Sequence, residues 1–313
     1  MKKSVIFCFA LLLSAGVFAQ SRKYISQFSH LQSYYNPGLT GYEGSMLRGL
    51  VRNQWAGWEG APKTYFVSAE LDFSQLRGES NGGVLGKNAV GINLLGDQYG
   101  AFQETELILS YASRIRLSKN SNLRLGLGLN YNSVRLDGTN LSTEQGDDPL
   151  VSQYLNRFAD MNILDFNLGL ALTHKNYYLS YAVQNVNEGK ISGGDIFLDR
   201  KPRVSIVQAG YRSRVSEQLI LATNVMYRKQ SDLPDNVELN VKGIILDKFW
   251  IGAGHRVNYA NNFQFGLLLE KFRFGYVYEL PILKSYLLPN TTHELMLTFS
   301  IFGNEEGDRG MIW

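Results

Sequence analysis

The sequence is poor in several things that usually hold folds together or mark their chemistry. Its single cysteine, Cys8, sits in the first apolar stretch, so the remainder of the chain has no disulfide, thiol nucleophile or cysteine metal site. Proline is scarce, at 7 of 313 residues, while apolar and aromatic residues are plentiful, which excludes a disordered or collagen-like chain. Only one apolar run approaches membrane-spanning length, and it lies at the extreme N-terminus, which excludes a helical membrane protein. Nor does one sign of charge dominate. The 31 basic residues against 28 acidic ones leave a net +3, too little for a nucleic-acid binder.

What is present begins with a targeting segment. Lys2 and Lys3 form a positive start, Val5 to Leu13 an apolar run, and Val17-Phe18-Ala19 a small-residue cleavage site. Residues 1–19 therefore read as a signal peptide, with the mature chain starting at Gln20. Cys8 lies within the apolar run rather than after a lipobox, which disfavours a lipoprotein. Cleavage removes two lysines and no acids, leaving 29 basic against 28 acidic residues.

Most of the mature chain alternates at period two. Leu123, Leu125, Leu127, Leu129 and Tyr131 interleave with Arg124, Gly126, Gly128, Asn130 and Asn132. The same holds for 164–173, 237–242 and 272–279. Successive side chains on a strand face opposite ways, so each segment has one apolar and one polar face. A secreted sandwich would turn the apolar faces inward. An outer-membrane barrel turns them to lipid. Length favours the barrel, because most segments reach about ten residues, as a tilted bilayer crossing needs.

The expected fold is all-β: a transmembrane antiparallel β-barrel of about 14 strands, or twelve if a pair merges. The strands fall near 45–55, 63–73, 88–97, 102–117, 121–136, 162–173, 176–185, 203–214, 217–229, 237–245, 248–257, 261–269, 272–280 and 292–302. Tight links such as His174-Lys175 and Glu270-Lys271 alternate with longer polar ones such as 137–161 and 186–202, the rule for periplasmic turns and outer loops. Two links break it: 74–87 is long and 258–260 short. An even count places both termini in the periplasm. The division is then a signal peptide at 1–19, a periplasmic or plug-like segment at 20–43, the barrel at 44–303 and a C-terminal tail at 304–313.

Catalytic signals are missing. His30, His174, His255 and His293 lack metal-ligand spacing, and there is neither H-E-x-x-H nor G-x-S-x-G. No cofactor, metal or catalytic residue is expected. The loop 137–161 carries Asp137, Glu144, Asp147, Asp148 and Asp160, which could hold Ca²⁺ but lack the order of a known loop; a solvated acidic loop is favoured. Lumen-facing charges, among them Glu104, Glu106, Arg124, Glu238, Lys242, Arg273, Glu279 and Glu294, read as ion pairs filling the interior rather than as a selective pore.

Two stretches depart from alternation. Residues 24–41 contain Gln27, Phe28, Tyr34 and Tyr35 and then the turn Asn36-Pro37-Gly38. Their Tyr24, Ile25, Phe28, Leu31, Tyr34 and Tyr35 need a partner, either the barrel's own mouth or another protein. The second stretch, Arg52-Asn-Gln54-Trp55-Ala-Gly57-Trp58-Glu-Gly60-Ala61-Pro62-Lys63, is a shaped hairpin end. The residues alone admit an interfacial aromatic belt or a recognition element.

Gln27-Phe28-Ser29, Asn36-Pro37-Gly38, Arg52-x-Gln54-Trp55-x-Gly57 and Gly60-Ala61-Pro62-Lys63-Thr64 resemble the PorP/SprF family, outer-membrane proteins of the type IX secretion system in Bacteroidota. The resemblance spans the mature chain. It implies a non-enzymatic component that serves secretion or attachment of surface proteins, such as gliding adhesins. Implied partners are other type IX components, a secreted adhesin or its C-terminal domain, periplasmic lipoprotein and peptidoglycan-linked proteins, and outer-membrane lipid, with no nucleic acid. The motif residues, Gln27, Phe28, Tyr34 to Gly38, Arg52, Gln54, Trp55, Gly57, Trp58 and Gly60 to Lys63, become candidate docking positions. The alternative is a porin or small-molecule transporter with a polar lumen.

Overall fold

A computed structural model describes residues 24–78, 88–140, 153–198, 201–282, 291–302 and 312–313. Fifteen strands form one antiparallel sheet: β1 (Met46–Asn53), β2 (Lys63–Asp72), β3 (Asn88–Tyr99), β4 (Phe102–Arg116), β5 (Ser121–Asp137), β6 (Phe158–His174), β7 (Tyr177–Gln184), β8 (Ile191–Gly194), β9 (Val204–Ser216), β10 (Leu219–Gln230), β11 (Leu233–Ile245), β12 (Phe249–Arg256), β13 (Ala260–Leu268), β14 (Phe272–Pro281) and β15 (Thr292–Ser300). Neighbours in sequence are neighbours in space. β1 also pairs with β15, from Met46↔Ser300 to Asn53↔His293, which closes the sheet.

The closed wall has 14 staves, because β7 and β8 share one. β6 pairs with β7 over Leu168–Thr173 and with β8 over Met161–Leu164, and residues 185–190 bulge out between the two. Asn185, Glu188 and Gly189 take positive φ there (54°, 55° and 74°). The four residues of β8 are all exposed and do not alternate, which is why periodicity missed it. The other fourteen strands match the expected segments, with ends shifted by a few residues.

Closure leaves no open edge within the lipid-facing band, which is what a backbone in hydrocarbon requires. On β5, Leu125, Leu127, Leu129 and Tyr131 are 40–61% exposed, while Arg124, Asn130 and Asn132 are at most 3% exposed. The apolar face is the outer one. Beyond Tyr131 the polarity inverts: Ser133 and Arg135 point outward, Val134 and Leu136 inward. The wall of β4–β6 therefore continues past the apolar band into a polar medium. There Arg135 pairs with Asp160 at 2.7 Å.

The barrel has two rims. The turn rim holds the start of β1, the end of β15 and the links after β2, β4, β6, β9, β11 and β13. The loop rim holds the remaining links. Residues 24–45 run through the lumen from one rim to the other, as three short helical turns, Phe28–His30, Gln32–Tyr35 and Pro37–Leu39. Tyr24 lies at the loop rim, its ring 5.3 Å from that of Tyr259 in the β12–β13 link. Tyr24, the first described residue of the segment expected at 20–43, thus stands at the rim opposite the start of β1, because the segment threads the barrel before entering that strand.

Candidate functional site

The apolar residues of the N-terminal segment find their partner inside the barrel. Ile25, Phe28, Leu31, Tyr34 and Tyr35 are at most 8% exposed and pack on wall residues including Leu50, Phe66, Leu95, Ile108, Ile206 and Met296. Burying each such side chain contributes about 1.5–3 kcal/mol. Tyr34 packs edge-on against Phe66 at 5.5 Å and donates its hydroxyl to Glu106 at 2.8 Å. The motif residues Gln27, Phe28, Tyr34, Tyr35, Asn36, Pro37 and Gly38 are thus all buried in the lumen.

Asn36-Pro37-Gly38 has a dedicated seat. The Asn36 carboxamide oxygen accepts from Gly38 N at 2.8 Å, while its nitrogen donates to the Leu170 and Tyr181 carbonyls, each at 3.2 Å. Beneath the turn, Gly126 of β5 and Gly169 of β6 stand opposite each other in register. A Cβ on Gly126 would lie 2.1 Å from Gly38 N and 2.2 Å from Pro37 C, and one on Gly169 2.0 Å from Asn36 Oδ1. Only a pair of glycines lets the turn approach the wall so closely. Arg124 clamps the far side, donating to the carbonyls of Gly38 (2.9 Å) and Thr40 (2.6 Å).

Ion pairs lock the segment at two levels. Toward the loop rim, Arg52 bridges Glu279 at 2.9 Å and also contacts Glu294, whose carboxylate accepts the backbone N–H of Ser26 (2.7 Å) and of Gln27 (3.2 Å). Arg256 joins Glu238 (2.9 Å) and Glu279 (3.0 Å) and lies 4.4 Å from the Tyr24 ring. Toward the turn rim, Arg48 contacts Glu70 and pairs with Glu43 at 3.1 Å. Glu70 accepts Ser33 Oγ (2.9 Å) and Gly41 N (2.6 Å), and Glu43 reaches Arg273 at 3.4 Å. Charges this deep are tolerated because each is paired and hydrogen-bonded. Arg52, a candidate docking residue, is therefore an interior lock, 1% exposed.

The end of the sequence returns to the same lumen. Ile312 and Trp313 are fully buried. The Trp313 ring lies 4.7 Å from Tyr178 and 6.0 Å from Tyr42, with the Arg212 guanidinium 4.2 Å from its centroid. Lys242 Nζ donates to the Trp313 carbonyl at 2.9 Å and to Ser29 Oγ at 2.8 Å, and contacts His30 Nε2 at 2.7 Å. The sequence pattern marks 304–313 only as a C-terminal tail. The available signal was the return of apolar residues at 311–313 after a polar run.

The second candidate group lies outside, at the loop rim. The β1–β2 hairpin turns through positive φ at Trp55 (51°), Gly57 (99°) and Gly60 (72°). Gln54 N donates to Pro62 O at 3.0 Å, Ala56 N to Thr291 O at 3.1 Å and Gly100 N to Gly60 O at 3.3 Å, so both neighbouring links brace it. Ala61 and Pro62 are buried at its base, and Gln54 and Trp55 are half-buried. Gly57, Trp58, Gly60 and Lys63 are exposed, Trp58 at 52%. The structure thus divides the sixteen motif positions into an interior plug set and a rim hairpin.

Among the described residues, no three His, Cys, Asp or Glu side chains are grouped to hold a metal ion. Glu144, Asp147 and Asp148 of the acidic loop lie outside the described residues. Asp137 accepts from Thr139 N at 2.9 Å. The histidines are dispersed: His30 in the lumen, His174 at the turn-rim end of β6, His255 against Asn261 and His293 against Tyr276 Oη.

A search of curated protein sequences returns no match. Solved outer-membrane barrels superpose loosely. They include Omp33 of Acinetobacter baumannii (7% identity, TM-score 0.46, covering 82% of this chain and 97% of that one) and the monoaromatic hydrocarbon channel CymD (11%, 0.48, 90% and 94%). The toluene transporter TodX of Pseudomonas putida is similar at 11% identity and TM-score 0.47, covering 82% of this chain and 88% of that one. A family model does match, over residues 17–299, and by it this chain belongs to the PorP/SprF family of type IX secretion system membrane proteins.

Proposed function

We propose that the chain is a plugged, non-enzymatic outer-membrane component of a type IX secretion system. On this reading it works through its rims rather than by conducting solutes. The carrying observation is the filled lumen. Residues 24–45 and Ile312–Trp313 occupy it, held by buried ion pairs at two levels. An outer-membrane location is supported by the signal segment in the sequence and by a closed sheet with an apolar outer band. The exposed hairpin around Trp58 and Lys63 is the surface for an exported surface protein, an adhesin or its C-terminal domain. It is rigid, because both neighbouring links brace it, and it presents an indole, the side chain most enriched at binding hot spots. The turn rim faces the periplasm, within reach of lipoprotein and peptidoglycan-linked partners. The interior motif residues hold the plug and leave docking to the hairpin.

Trp58→Ala combined with Lys63→Ala removes two exposed side chains and no buried contact. The variant barrel should reach the membrane at normal levels and still shift on a gel between boiled and unboiled samples, yet lose surface display of its cargo. Normal display at normal barrel levels would refute the docking role. A porin reading requires conductance, so purified wild-type protein in planar bilayers should be electrically silent. Open channels there would favour a transporter.

A further inference from the structure

The six links at the turn rim share a pattern that secretion does not explain. Five of them carry an exposed basic residue, Arg77, Lys119, Lys175, Lys248 and Lys271, and at the sixth the exposed Arg214 stands near the end of β9, three residues before Glu217, so that a cation recurs all round the barrel. Arg116 adds a seventh. The accessible carboxylates at this rim, among the described residues, are Glu217, Asp247 and Glu270, and Asp247 is engaged by Arg214 at 3.0 Å. The loop rim differs in its balance of charge. There Arg135 pairs with Asp160, Arg157 with Asp195 and Arg203 with Glu188, and the exposed Lys63, Lys190 and Lys229 share the rim with the exposed Glu59, Asp232 and Asp235.

Within two residues of each turn-rim cation stands an exposed apolar side chain. Leu76 is 55% exposed, Leu117 57%, Tyr177 39%, Val215 64%, Leu246 49% and Leu269 56%. They continue the lipid-facing band to its last row. The cations therefore sit one step beyond the hydrocarbon, at the depth of lipid phosphates, with stems long enough to follow the apolar surface and end in the headgroup layer. The ring also surrounds the whole circumference. A protein partner approaching from one side would touch part of it, whereas a lipid leaflet meets all six positions at once.

We propose that the turn rim is a binding surface for the phosphate headgroups of anionic phospholipids, so that this end of the barrel is seated in a leaflet containing them. Lysine and arginine beside an anionic surface gain from its potential, and the gain decays within a Debye length. The inference stands apart from the secretion role. It rests on the rim chemistry alone.

The test uses the full-length barrel in mild detergent with an equal mixture of phosphatidylglycerol and phosphatidylethanolamine, and retained lipids are counted by native mass spectrometry. Wild type should retain phosphatidylglycerol preferentially. The variant Arg77→Gln, Lys119→Gln, Lys248→Gln, Lys271→Gln should lower that preference by about tenfold or more, while its shift between boiled and unboiled gels is unchanged. A loop-rim control, Lys190→Gln with Lys229→Gln, should behave as wild type. If the fourfold variant fails to fold, salt replaces it: the wild-type preference should collapse between low and high ionic strength. The proposal is overturned by equal retention of the two lipids by wild type, which would leave the ring to an acidic protein. It is equally overturned by a preference that survives the four substitutions or salt, or that the loop-rim control abolishes.

Discussion

Valine at Gly126 is the sharpest perturbation of the plug seat. The added Cβ would meet Gly38 N at 2.1 Å, Pro37 C at 2.2 Å and Pro37 O at 2.5 Å, all backbone atoms that cannot swing aside. The turn must lift. Lifting breaks the Asn36 bonds to Leu170 O and Tyr181 O and the Arg124 bonds to Gly38 O and Thr40 O. Neutral hydrogen bonds contribute about 0.5–1.5 kcal/mol each and charge-assisted ones about 1.5–3. Seating should therefore weaken by roughly 4–9 kcal/mol, minus whatever water restores. The β-ladder is untouched, since valine suits a strand and keeps its backbone groups. Gly126→Val should thus still form a heat-shifting barrel, but expose residues 24–45 to protease and conduct in planar bilayers. Gly128→Ala is the control, because its Cβ would meet Asn167 and Ile108 at 3.2–3.4 Å, not the plug. A Gly126→Val barrel as silent and protease-resistant as wild type would refute the seat.

Leu127→Arg, on the lipid face, should cost about 2–4 kcal/mol near mid-membrane and reduce folded yield in vesicles. Asn130→Arg, on the lumen face, should insert normally but disturb the plug, because Asn130 donates to Glu106 at 2.7 Å beside the Tyr34 hydroxyl; equal insertion defects would contradict the assigned faces. Arg52→Ala leaves Glu279 and Glu294 buried without that partner and should destabilise by about 3–5 kcal/mol, read from urea unfolding of refolded barrel. Trp313→Ala empties a fully buried indole site and should cost about 3–5 kcal/mol by the same measurement. An unchanged midpoint would mean that the end of the chain contributes nothing to the closed lumen.

The staves were readable from sequence because lipid on one side and a packed interior on the other impose a strict period of two. Leu123 to Asn132 shows it without a break. β8 was not readable, since all four of its residues are exposed and no face is selected. Asn36-Pro37-Gly38 could be seen as a turn, but its destination could not. The seat depends on Gly126 and Gly169 meeting in register across two strands 43 residues apart, which no local pattern encodes. Likewise, the lumen-facing charges were visible by parity, while the pairing of Arg52 with carboxylates on β14 and β15 requires closure of the barrel. Ile312 and Trp313 were not readable as lumen residues, because the apolar return at 311–313 is too short to show a periodicity.

The wall and the plug each supply what the other lacks. Short helical turns leave backbone N–H groups without partners. Here wall carboxylates take them: Glu294 accepts from Ser26 and Gln27, and Glu70 from Gly41. In return the plug brings Glu43 to Arg48 and Arg273, and carbonyls to Arg124. Withdrawing the segment would therefore break these pairs and hydrogen bonds together, with water entering the lumen to rehydrate the freed groups. The loss also includes the buried contacts of Ile25, Phe28, Leu31, Tyr34 and Tyr35, so the filled lumen is the favoured state of the chain. On the proposed docking role, a partner would therefore meet a barrel whose lumen is filled. On that role, a partner at the loop rim would act on the hairpin at Trp58 and its braced neighbours rather than by emptying the pore.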